Sequence, residues 1–164
     1  MPYQASLTYS KPLLRKAVLA YWRRSVGAGF LVALLLVACS LAALLYEENA
    51  FWVVGALGVG LIVGIAFPVL IYIVHFQNAM RKFHDMGEPN AVFRAEEASF
   101  TVTSGIGTTT LAWSAVSEVW RFKTFWLVLF SKAQFITLPL AGIPSEMQAY
   151  VVRRIEASGG KVGA

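Results

Sequence analysis

Two long apolar stretches, residues 26–45 and 51–76, stand almost back to back near the N-terminus of this chain. Only Tyr46-Glu47-Glu48-Asn49-Ala50 separates them. A helix of about 20 residues rises about 30 Å, close to the thickness of a bilayer's hydrocarbon core. The connector has room for a tight turn and little else, so the two stretches predict a membrane-spanning helical hairpin. With 57% of its 164 residues hydrophobic, the chain is also too apolar for an ordinary soluble domain.

Charge orients the hairpin. The formal net charge is +5, and the basic residues cluster. Lys11, Arg15, Lys16, Arg23 and Arg24 precede the first stretch, and Arg81, Lys82 and Arg94 follow the second. The connector carries Glu47 and Glu48 and no Lys or Arg. By the positive-inside rule both termini are cytoplasmic and the connector is outside. The same clusters suit anionic lipid headgroups, so the basic balance gives no reason to expect nucleic acid. The single cysteine, Cys39, excludes an intrachain disulfide. Leu36-Val37-Ala38-Cys39 has the outline of a lipoprotein processing site. The apolar run continues through Ser40-Leu41-Ala42-Ala43-Leu44-Leu45, however, where such a site turns polar. Cys39 therefore reads as a small apolar residue inside a helix.

Residues 1–25 read as a short extended piece, 4–9, then a helix. Ser10 can cap it, and Pro12 in the first turn gives up an N–H that needs no partner. Leu13, Leu14, Ala17, Val18, Tyr21 and Trp22 recur at helical spacing between basic residues, as in an amphipathic interfacial helix. In the second stretch, Pro68 predicts a kink. Ala56, Gly60 and Gly64 form a helix-packing stripe of small residues, which lets backbones approach closely, and Gly29/Ala33 and Ala38/Ala42 repeat it in the first stretch. The stripe serves either the hairpin itself or a second molecule. Residues 77–89 carry the helix onward and end it at Gly87 and Pro89.

From residue 90 onward β-branched and aromatic residues dominate. Candidate strands are 91–95, 99–103, 108–113, 116–122, 125–130 and 134–138, separated by short turns, which indicates an antiparallel meander. Phe125-Trp126-Leu127-Val128-Leu129-Phe130 is apolar at every position, as in a strand covered on both sides. A last helix begins at Ser145-x-x-Gln148, read as a capping box, presents Met147, Tyr150, Val151 and Ile155 on one face, and ends at Gly159-Gly160. The fold class expected is α+β: a transmembrane helical hairpin with an antiparallel sheet or partial barrel closed by a C-terminal helix.

Candidate chemistry is sparse. His75 and His84 are the only histidines, and neither spacing nor neighbours suit haem or a metal. No ionisable residue lies in the middle of either stretch, where transport paths usually need one. Gly105-Ile106-Gly107 has no helix after it and reads as a hairpin turn. Gly55-x-x-Gly58-x-Gly60 lies in the apolar stretch and cannot be a nucleotide loop. The expectation is a protein without catalytic residues, cofactor or metal. Trp120, Arg121 and Lys123 lie near a turn, and Trp and Arg are favoured at contact hot spots, so these three are the candidate partner contact.

The order of these parts resembles the YcxB-like family of bacterial membrane proteins. The resemblance rests on Ser6-Leu7-Thr8 before the helices, the acidic Glu96-Glu97, Leu111-Ala112-Trp113-Ser114-Ala115-Val116 with Glu118-Val119, Leu138-Pro139, and the terminal helix. It implies a sheet domain similar to pleckstrin-homology-like barrels, in which residues 4–9 join as an extra strand, and a place in the bacterial inner membrane. The basic residues that members carry after the proline are replaced here by Leu140-Ala141-Gly142-Ile143. The domains expected are 1–25, 26–76, 77–89 and 90–164.

Two functions are compatible with this reading. One is a membrane-anchored, non-enzymatic module whose cytosolic sheet domain binds a protein partner, an immunity protein that neutralises a toxin being one version. The other is a small accessory subunit of a transport or envelope-synthesis complex, packed through its glycine stripe. The partners expected are the lipid bilayer and a protein or a second copy of the chain.

Overall fold

The computed structural model describes residues 3–46, 51–131 and 134–163. The connector residues Glu47 to Ala50 and the turn residues Lys132 and Ala133 lie outside them. The elements run β1 (Tyr3–Thr8), α1 (Lys11–Leu44), α2 (Phe51–Asp85), β2 (Asn90–Ala95), β3 (Ser99–Ser104), β4 (Gly107–Ala112), a 3-10 turn at Trp113–Ala115, β5 (Glu118–Arg121), β6 (Phe125–Leu129), β7 (Phe135–Pro139), α3 (Ser145–Ala157) and β8 (Lys161–Gly163). They divide into two compact units, Val18–Gln77 and the remainder.

Ser10 caps α1 as its side chain allows: its Oγ accepts the Leu13 N–H at 3.3 Å and its carbonyl the Leu14 N–H at 3.0 Å. Both α1 and α2 are long and apolar enough to cross a membrane. They run antiparallel within their unit, because Tyr21 meets His75, Trp22 meets Tyr72, and Leu34 lies beside Gly64. The half-buried positions Leu34, Val37, Ala38, Leu41 and Leu44 on α1, and Leu57, Gly58, Leu61 and Gly64 on α2, recur every three or four residues and mark one face of each helix. Pro68 is buried. That residue lies inside an uninterrupted α2, whereas Gly27 interrupts α1 with φ 71° and ψ 155°, a conformation open to glycine and strained for other residues. Gly27 thereby separates the basic N-terminal turns of α1 from its apolar part.

The other unit holds two four-stranded sheets, ordered β1-β2-β3-β4 and β7-β6-β5-β8. β1 joins antiparallel to β2, with Tyr3 opposite Ala95 and Thr8 opposite Asn90, and the Tyr9 N–H donates to the Pro89 carbonyl at 2.7 Å. The two sheets are not closed into a barrel, which corrects the expected partial barrel. Two features of the chain explain the split. The 3-10 turn at Trp113–Ala115 ends the strand expected over 108–113 at Ala112, and of the strand expected over 116–122 only Glu118–Arg121 is in the ladder. The chain also returns after Gly159 to lay β8 parallel on β5, with Glu118 opposite Lys161.

One core cluster unites the unit. Ala5, Leu7, Phe93 and Phe100 from one sheet meet Val119, Trp126, Val128 and Leu138 from the other, with Met147, Val151 and Ile155 of α3. Burying such side chains contributes about 1.5–3 kcal/mol each. β6 is buried at all five positions, so it is covered on both faces. The α3 start differs from a capping box: Ser145 is the first helical residue, Pro144 is the N-cap, and no side chain caps it. The Gln148 side chain instead donates to the Ile143 carbonyl at 2.8 Å. Gly142 sits where a side chain would collide with the Ser6 carbonyl, so the loop before α3 closes tightly on β1. Tyr9 adds a second tie to this seam. Its hydroxyl donates to the Thr137 carbonyl at 3.1 Å, and burial pushes the phenol up to about 12.

Candidate functional site

The candidate helix-packing stripe divides between two surfaces. At Gly64 a methyl group would come within 2.7 Å of Leu34 Cδ1, so this residue packs against α1. Ala56 and Gly60 are exposed, and a methyl added at Gly60 meets nothing within 4 Å. The division has a geometric cause. Along this part of α2 the face turned to α1 follows Leu57, Leu61 and Gly64, and a strict spacing of four drifts off that line. Large side chains, not small ones, fill most of the seam. On α1, Ala38 alone of its two stripes is even half-buried.

The partner-contact triad also divides. Trp120 is only 7% exposed and pairs in register with Leu127, so it is part of the protein interior and no surface contact. Arg121 and Lys123 are exposed. Between them, half-buried Phe122 stacks on Phe125 with ring centroids 4.9 Å apart, and the Phe122 N–H donates to the Phe125 carbonyl at 3.0 Å. This clamp fixes the β5–β6 turn and holds two cations on a rigid tip.

Spacing did not reveal an aromatic cluster in the helical unit. Tyr21 stacks on His75 at 5.0 Å, Trp22 meets Tyr72 edge-on at 6.3 Å, and Tyr72 stacks on Phe76 at 5.9 Å. The Trp22 indole N–H donates to the Pro68 carbonyl at 2.6 Å. His75 Nδ1 lies 2.9 Å from the Ile71 carbonyl. The hairpin register was the available signal: folding the two stretches antiparallel about residues 46–50 brings 21 and 22 to the level of 72 and 75. Among the described residues no group of three or more His, Cys, Asp or Glu side chains gathers.

Three of the features that carried the family resemblance meet at one place. The Glu96 carbonyl accepts the Trp113 indole N–H at 3.0 Å and the Tyr150 hydroxyl at 3.0 Å. The Arg154 guanidinium donates to the Glu97 carbonyl. Glu96 and Glu97 thus contribute backbone carbonyls to the fold while their carboxylates stay on an exposed turn. A turn, the tryptophan after β4 and the terminal helix are locked together by side chains bonding to backbone.

Comparison with known proteins agrees with this picture. The family model described as YcxB-like protein matches residues 96–152. The matched stretch opens at the pinned Glu96 and closes just beyond Tyr150, so its two ends are bonded to each other. It takes in β3 to β7 and the first part of α3 and leaves out β1, β2, β8 and both long helices. No curated protein and no solved structure matches the chain significantly.

Proposed function

We propose that this chain, with its YcxB-like stretch at residues 96–152, is a bacterial inner-membrane protein that holds a binding module at the cytoplasmic surface. One observation carries the membrane reading. Among the described residues the large exposed hydrophobic side chains all lie within 19–74, except Ile106. A soluble surface rarely exposes such a continuous apolar patch. The pairing of β1 with β2 supports a hairpin topology, because strands on either side of α1 and α2 can join only if the chain returns to the side it left. The basic flanks favour the cytoplasm for that side. The sheet unit, four strands plus three antiparallel strands and a helix in the core, is similar to a pleckstrin-homology-like domain that has not closed.

The module binds a protein partner and performs no catalysis. Its contact surface is the tip that carries Arg121 and Lys123, the two cations held by the Phe122–Phe125 clamp. In a Cys39→Ser background, Lys123→Cys reacts with a membrane-impermeant maleimide in inverted membrane vesicles and not in intact spheroplasts. Labelling in spheroplasts would reverse the topology. A photo-crosslinking amino acid at 123 captures a defined protein, and Arg121→Glu abolishes its capture.

Ala56 and Gly60 support a second reading, an accessory subunit of a transport or envelope-synthesis complex. Their exposed small side chains leave a helix surface open to close approach by another helix. Loss of a copurifying partner on Gly60→Leu, with Arg121→Glu silent, selects it.

A further inference from the structure

We propose that the free edge of β4 is a self-association edge, where a second copy of this chain adds its own β4 antiparallel to make one continuous sheet. Four strands lie at the sheet edges: β1, β4, β7 and β8. Three are blunted. β1 is tied to β7 through Tyr9, which bonds the Thr137 carbonyl, and is covered at Ser6 by Gly142. β7 shares that seam and ends in Pro139. β8 is three residues long and carries Lys161. β4 has six residues, Gly107–Ala112, without charge or proline, and all but Leu111 are exposed. Sheets usually guard an edge with lysine, proline, brevity or a cover, and β4 has none of these.

The register shows which backbone groups are open. Ser104 pairs with Gly107 around the Gly105-Ile106 turn, so the hydrogen-bonded pairs alternate from there. Thr108, Thr110 and Ala112 fall at the non-bonded positions. Two observations fix the same parity. The Trp113 N–H, next beyond β4, donates to the Ala98 carbonyl at 3.2 Å. Thr110 and Thr108 reach the hydroxyls of Thr101 and Thr103 at 2.9 and 3.2 Å, as the closer non-bonded pairs permit. The N–H and C=O groups of Thr108, Thr110 and Ala112 therefore point away from β3, and no backbone of another described residue bonds to them.

The occupant follows from self-complementarity. A two-fold axis through Thr110 sets each Thr110 opposite the other and each Thr108 opposite Ala112. Every outward residue then exchanges a donor and an acceptor. An uncharged strand brings no like charges together, and threonines are good cross-strand neighbours. Under the membrane reading above, both copies share one bilayer, and the raised effective concentration lets a short edge suffice. Ile106, 52% exposed, stands at the tip of the same hairpin.

The test uses the full chain in native membranes and nanodiscs. In a Cys39→Ser background, Thr110→Cys forms a disulfide-linked dimer under mild oxidant, since residues opposed in a hydrogen-bonded antiparallel pair lie about 5.5 Å apart. Thr101→Cys, the neighbour on β3, does not. Thr110→Lys sets lysine against lysine and shifts the native mass in nanodiscs from dimer to monomer, with circular dichroism and melting unchanged. Equal cross-linking from 101 and 110, a monomeric parent protein, or a dimer that survives Thr110→Lys overturns the proposal. Cross-linking of Thr110→Cys to a different polypeptide also overturns it, by giving the edge to a heterologous strand. Whether the protein sediments with membranes scores the membrane reading separately.

Discussion

The two units of this protein solve opposite problems with the same amino acids. In residues 18–77 the large apolar side chains are mostly outside, and the backbone is satisfied locally along two helices. In the sheet unit the large apolar side chains are inside, and backbone groups are satisfied by other strands, those of β1 by a strand on the far side of both helices in the sequence. A helix in lipid needs little from the rest of the chain, because its hydrogen bonds are internal. A sheet needs every neighbour in place. Specific side-chain bonds therefore cluster in the sheet unit, where Trp113, Tyr150 and Arg154 pin the turn at Glu96-Glu97. In the helical unit the Trp22–Pro68 bond is a rare counterpart.

This contrast can be broken most directly at Trp113, which is 2% exposed. Trp113→Ala is expected to cost about 3–5 kcal/mol in the sheet unit alone. Hydrogen exchange should show protection collapsing across β2 to β7 while the helical amides keep theirs. Collapse of both would mean that the units do not differ in what stabilises them. The next test reverses the surface. Val63→Arg, on an exposed apolar face, is expected to cost about 2.5–3.5 kcal/mol of membrane insertion, read by glycosylation-mapped insertion or by loss from the membrane fraction. On a water-facing surface the same change would stay within about 0.5 kcal/mol.

Smaller effects sharpen the contrast. Gly27→Ala forces a side chain into a positive-φ position and should cost about 1–2 kcal/mol, read as a lower melting temperature for the helical unit in detergent. Tyr9→Phe removes one hydrogen bond in the sheet unit, at about 1 kcal/mol. Its pH dependence has a definite sign. The folded phenol titrates near 12 against an ordinary value of 10.0, so the unfolded chain ionises first and stability falls as pH rises between those values. Alkaline denaturation of Tyr9→Phe should lose that part of the slope.

How much could be read in advance follows the same division. The helical hairpin was legible because its signals are local: unbroken apolar runs, basic flanks, Ser10 as a cap. Most strands were legible from alternation and turn residues, and the doubly buried β6 from its continuous apolar run. Non-local features were not. Three residues at Lys161–Gly163 carry no pattern of their own, and only their pairing with β5 makes them a strand. The turn at Ser114-Ala115 was legible, but its start at Trp113 was not, because the Trp113 indole bond to Glu96 spans 17 residues. At the candidate surfaces, spacing alone grouped Ala56 and Gly60 with Gly64, and Trp120 with Arg121. Helical drift and strand alternation set them on different faces.

The pairing of Thr8 with Asn90 carries a demand on biosynthesis. The first strand leaves the ribosome early and has no neighbour until everything between has been translated and threaded. At about 5–20 residues per second, that is a delay on the order of ten seconds. Through that interval β1 has no β2 to pair with. If α1 and α2 span a bilayer as proposed, a chain whose helices failed to integrate as a pair would leave β1 and β2 on opposite sides. Under the membrane reading proposed above, completion of the first sheet would report that both helices had inserted as a pair.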